Sequence, residues 1–142
     1  MRRLIVIAMF LILAATCITA DPGIGPTHEI ERAYDITQWV HETIPYVVSA
    51  DRIQEPAYTL LNGGDCADMS ALVLFFLEAE GITGELLLLD LLDYAPHHAI
   101  VRVRGVLFDP VSGLMFTDEF PLAHKMNYNL SWTSLLVLTD WK

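Results

Sequence analysis

The sequence predicts an α+β fold in which helices come first and an antiparallel sheet follows. Three observations carry this. Residues 27–43 repeat apolar side chains at helical spacing, and residues 66–80 form an apolar run of helix length. Residues 97–110, "HHAIVRVRGVLFDP", read as a β-hairpin turning at Arg104-Gly105. Strand patterns are confined to the second half of the chain, so the two kinds of element are segregated.

The first twenty residues stand apart from that fold. Arg2 and Arg3 precede an unbroken apolar run from Leu4 to Ala15, and small residues continue to Ala20. This is the layout of a secretory signal peptide over residues 1–20, which leaves a domain over 21–142. The run is short for a membrane span. Two alternatives stay open: retention of the segment as an anchor, or a lipoprotein signal in "LAATC" with Cys17 lipidated. A membrane partner is expected only in those two cases; otherwise the protein is secreted, periplasmic or held in the cell envelope.

Loss of Arg2 and Arg3 would lower Lys+Arg from 8 to 6 against 18 Asp+Glu, and the net charge from −10 to −12. So acidic a surface argues against nucleic acid and anionic lipid as partners. The 122 residues left of 142 suffice for a core. Only one cysteine, Cys66, then remains. Exported domains normally use cysteines in pairs, so an unpaired thiol points to a use, beside the plain reading of a small buried side chain.

The elements follow in order. "DPGIGPT", residues 21–27, is a linker. Thr27 can cap a helix to Thr43 in which Ile30, Tyr34, Trp39, Val40 and Ile44 recur at helical spacing, and Pro45 ends it. "YVVSADRIQ" reads as loop, and "EPAYTLLNGG" as a short helix with Pro56 in its first turn. The helix from Cys66 to Glu80 is apolar on nearly every face and must be central, with Gly81 placed for a left-handed cap. Residues 85–93, "ELLLLDLLD", fit strand or helix by pattern, their position after a helix and a Gly-containing turn favours strand, and the hairpin comes next. "DEFPLAHKMNYN" reads as mostly loop and "SWTSLLVLTDW" as a final strand.

With Asp65 as N-cap, Cys66 is the first helical residue, and the positive end of the helix dipole favours its thiolate. Asp68 at the third position also suits the unpaired amides there, while both carboxylates oppose the dipole's effect on sulfur. A neighbouring imidazolium is therefore needed. The Cys66 N–H, lacking an intrahelical acceptor, is a candidate oxyanion donor.

Five histidines are available: His28, His41, His97, His98 and His124. With a two-residue turn at Arg104-Gly105, Val103 faces Val106 and Ile100 faces Asp109. His98 then lies diagonal to Asp109 on the same face, within hydrogen-bonding reach, while His97 points to the opposite face. A turn longer or shorter by one residue would break this pairing. A thiol at a helix start with a carboxylate-oriented histidine is a nucleophile, base and orienter set.

Three motifs occur in order: Gly64-Asp65-Cys66-Ala67-Asp68, then His98-Ala99-Ile100-Val101-Arg102-Val103, then Asp109-Pro110. This order resembles the transglutaminase-like superfamily, in its bacterial cysteine-peptidase branch. The resemblance spans about residues 45–111. It implies a papain-like core with a central buried helix on an antiparallel β-sheet, and it brings the helix start to the hairpin. It further implies Cys66 as nucleophile, His98 as base, Asp109 as orienter, and Gln54 beside the Cys66 N–H as second oxyanion donor. The sequence departs from the family by Ile100 where a tryptophan is usual, by lacking a tryptophan near Ile53-Gln54, and by its short His-to-Asp interval.

The expected activity is acyl transfer on a protein or peptide substrate: hydrolysis with water as acceptor, crosslinking with a lysine amine. No cofactor is expected. No metal is expected either, since C-x-x-C and H-x-x-x-H are missing and adjacent strand histidines face opposite ways. Calcium on Asp65 and Asp68 is the minor alternative. The rival of another class is a binding module with a dead or closed site.

Overall fold

The computed structural model describes residues 26–48, 52–89, 98–117 and 126–131, the last as backbone. The expected signal peptide with Cys17, His97, His124 and residues 132–141 of the expected final strand lie outside the described residues. Three helices are described: α1 (Pro26–Thr43), α2 (Pro56–Asn62) and α3 (Cys66–Ala79). Five strands follow: β1 (Glu85–Leu89), β2 (His98–Val103), β3 (Val106–Asp109), β4 (Leu114–Thr117) and β5 (Met126–Ser131). They form one sheet in the order β4-β3-β2-β1-β5, and every adjacent pair is antiparallel. The fold is thus α+β, helices before sheet, as the sequence predicts. Among the described residues no helix is long and apolar enough to cross a membrane.

Helix α3 is central because its sequence leaves no polar face to expose. Met69, Ala71, Leu72, Val73, Leu74 and Leu77 are each at most 2% exposed. They pack with Ala33, Ile36 and Val40 of α1 and with Leu86, Ala99, Val101, Val103 and Phe108 of the sheet. Trp39 on α1 meets Phe76 on α3 edge to face at 5.5 Å. The opposite sheet face carries a smaller cluster of Leu87, Leu89, Ile100 and Leu107. Helix α3 ends in a Schellman motif: Gly81 has φ +72°, its N–H bonds Glu78 O at 3.0 Å, and the Ile82 N–H bonds Leu77 O at 2.9 Å.

The hairpin has the register expected, with Val103 opposite Val106 and Val101 opposite Phe108. Arg104 and Gly105 have φ +52° and +80°, the left-handed pair that matches a tight turn to the twist of its strands. Two readings of the C-terminal half are corrected. The segment expected as loop contains the start of β5, which pairs with β1 from Leu86↔Leu130 to Leu89↔Met126 across a bulge. Strand β4 goes unanticipated: the chain turns after Asp109, and Leu114 returns opposite it.

Candidate active site

Cys66 sits where α3 begins, and a capping box fixes that start. Asp65 is extended, with φ −85° and ψ −171°, and its carboxylate accepts the N–H groups of Ala67 at 2.9 Å and Asp68 at 3.1 Å. Asp68 returns the contact by accepting the Asp65 N–H at 3.0 Å. Asp68 is wholly buried, and its carboxylate also accepts the Gln54 backbone N–H at 2.7 Å and Gln54 Nε2 at 2.9 Å. A charge withdrawn from water needs such donors. The glycine at 64 is dictated by space, because a Cβ there would stand 2.4 Å from Asp68 Cβ and 2.8 Å from its Oδ2. On the other side, Val47 N–H bonds Gly64 O at 2.9 Å and Gly64 N–H bonds Pro45 O at 3.2 Å. The approach to Cys66 is therefore held from two segments at once.

Helix α3 meets the hairpin one turn after Cys66, where buried Ser70 Oγ donates to Ala99 O at 3.1 Å. Ala99 follows His98, so this contact seats the histidine beside the helix start. His98 Nε2 lies 3.0 Å from Asp109 Oδ2, with the two side chains 23% and 13% exposed. His98 also hydrogen-bonds Cys66. The bond to Asp109 above all, then the bond to Cys66, raises the imidazole from 6.5 to about 9 against the opposing effect of burial. Burial pushes the Asp109 carboxyl upward, but the bond and charge of His98, the Ser112 hydroxyl and the Val111 N–H together hold it below its usual range. An imidazolium between a thiol and a carboxylate is the arrangement in which a cysteine acts as nucleophile.

The structure thus brings together Cys66, His98 and Asp109. Gln54 is close by, but its amide is turned to Asp68; a carboxylate only accepts, so nitrogen must be the atom facing it. One of the two Gln54 amide protons is engaged there. Tyr46, bridged to Gly64 in the approach to Cys66, is 54% exposed. Its partial burial, then the negative charge of Cys66 and Asp65, keeps its phenol protonated to higher pH. Among the described residues no group of three His, Cys, Asp or Glu side chains is arranged to hold a metal.

One part of the site went unread in the sequence. The turn after Asp109 folds onto its carboxylate: Oδ1 accepts the Val111 N–H at 2.9 Å, and Oδ2 accepts the Ser112 hydroxyl at 2.8 Å. The turn is docked on α1, where Gln38 Nε2 bonds Gly113 O and His41 Nδ1 bonds Val111 O at 2.9 Å. "DPVSG" holds the signal, since Asp and Ser ahead of a glycine commonly bond the backbone just downstream.

No family model matches the sequence, and no curated protein matches it. Solved structures do match in fold. Legionella pneumophila LapG superposes with a TM-score of 0.66 at 14% identity, over 83% of this chain and 70% of that one. A calcium-bound form of the same protein gives a TM-score of 0.63 at 15% identity with the same coverage. The fold this chain shares with LapG is transglutaminase-like, with a papain-like core.

Proposed function

We propose that this transglutaminase-like fold carries an exported, cysteine-dependent acyl-transfer enzyme that hydrolyses peptide or amide bonds. The reading rests on one observation: His98, charged up to about pH 9, hydrogen-bonds both Cys66 and Asp109. The Cys66 thiolate attacks a carbonyl carbon, and the oxygen that becomes negative is received by the Cys66 N–H and the second amide proton of Gln54. His98 gives its proton to the leaving amine as the C–N bond breaks, leaving a thioester. Water then attacks while His98 takes its proton, and the C–S bond breaks to release the acid. Asp109 holds Nε2 throughout, so the ring keeps one orientation and Nδ1 is left to serve the thiol. Export is read from residues 1–20, and the substrate class is protein or peptide.

The test is alkylation of Cys66 by iodoacetamide across pH, followed on the Cys66 peptide by mass spectrometry in the wild type and in His98→Ala. Rapid labelling near pH 7, below the ordinary thiol range of about 8.5, lost in His98→Ala, is the expected result. Slow labelling that is the same in both proteins would sink the enzyme reading and leave a binding module with a closed site.

A further inference from the structure

The carboxylate of Asp109 receives more donors than orienting one imidazole requires, and their arrangement is directional. Oδ1 is taken by the backbone, through the Val111 N–H at 2.9 Å and the more distant Ser112 N–H at 3.5 Å. Oδ2 takes His98 Nε2 at 3.0 Å and Ser112 Oγ at 2.8 Å. Ser112 Oγ itself accepts the Leu114 N–H at 3.4 Å. A hydroxyl has a single proton, and with a donor already on its oxygen that proton is directed to Asp109. The turn carrying these groups is tied at both Val111 O and Gly113 O to α1, a helix some seventy residues earlier in the chain.

We propose that Ser112 is a positioning residue: presented by the turn docked on Gln38 and His41, its hydroxyl fixes the Asp109 carboxylate so that Oδ2 faces His98. The proposal rests on His98 and Asp109 being base and orienter. Backbone donors alone hold the carboxylate at one oxygen. The hydroxyl adds a second point of attachment, on the oxygen that the histidine uses, and so restricts rotation about both side-chain torsions of Asp109. The groups that bear on His98 are then Asp109, itself held by Ser112 and Val111, and Cys66 across the ring. A carboxylate that swings away no longer supports the imidazolium, and the ring's proton affinity must fall.

The experiment is an NMR pH titration of His98 in the full chain, assigned by comparison with His98→Ala, for the wild type, Ser112→Ala and Ser112→Thr. Ser112 is exposed, so these changes leave folding intact, and the unfolding midpoint checks that. The expected result is a His98 titration near 9 in the wild type, displaced downward in Ser112→Ala and restored by threonine, which keeps the hydroxyl. Cys66 alkylation at neutral pH should fall several-fold in Ser112→Ala and recover in Ser112→Thr, within the ~100-fold that a 1 Å misplacement of reacting groups costs. A raised wild-type titration left unchanged, or moved upward, by Ser112→Ala overturns the proposal while sparing the proposed function. An ordinary wild-type titration overturns both.

Discussion

Asp109→Asn is the most direct probe of the site. Asparagine keeps the shape of the side chain and removes the charge. In the wild type His98 is raised from 6.5 to about 9, which corresponds to roughly 3 kcal/mol of preference for the imidazolium. Asp109 is the first cause, Cys66 the second, and burial works against both. Without the carboxylate only the bond and charge of Cys66 are left to oppose burial, and His98 should titrate well below its wild-type value of about 9. The effect extends to stability. The folded-state value lies above the unfolded one, so this stabilisation is fully present below about pH 6.5 and is lost as pH rises towards 9. His98 is 23% exposed, so solvent screening removes part of it, and an effect on the order of 2 kcal/mol is expected. Urea unfolding at about pH 6 and about pH 10 measures the difference in stability between wild type and variant at each pH. That difference should be larger at pH 6 by this amount; titrations common to the two proteins cancel. An equal difference at both values, or a wild-type His98 that titrates near 6.5, would refute the reasoning.

Two further substitutions test how the approach to Cys66 is built. Gly64→Ala forces a Cβ to within 2.4 Å of Asp68 Cβ, and the overpacking should cost about 1–3 kcal/mol in chemical denaturation. Slowed Cys66 alkylation should accompany it, because the displaced Asp68 caps the same helix; unchanged stability would mean that the backbone there relaxes freely. Asp68→Ala deprives three N–H groups of their acceptor, those of Asp65 and both from Gln54. It should destabilise by about 3 kcal/mol or more, and a loss below about 1 kcal/mol would show that water substitutes for the carboxylate.

Much of this protein is local enough to be read from order and spacing. The α3 boundaries follow from Asp65, Asp68 and Gly81, residues whose capping acts within a turn of where they stand. The hairpin register follows from Arg104-Gly105, because a two-residue turn leaves one way to align the strands, and that alignment makes His98 and Asp109 neighbours. Strand β5 was hidden in the same sequence. "MNYNLS" alternates apolar and polar residues, but its two asparagines disfavour a strand, and its partner β1 lies some forty residues away. Strand β4 is four residues long, too short for a period to declare itself.

What spacing could not supply was the meeting of distant parts. That α3 begins beside β2 depends on a helix with no polar face having to bury itself against α1 and the sheet, with Ser70 and Ala99 fixing where. That Gln54 turns its amide to Asp68, and that α1 holds the Asp109 turn through Gln38 and His41, are consequences of the same packing. Such contacts form between residues with no short-range reason to be adjacent. Order and spacing along the chain set the residue types of the site and the local elements that carry each one. Their convergence on a single thiol was decided only by the tertiary structure, because burial of apolar surface is non-directional and acts on the whole chain at once.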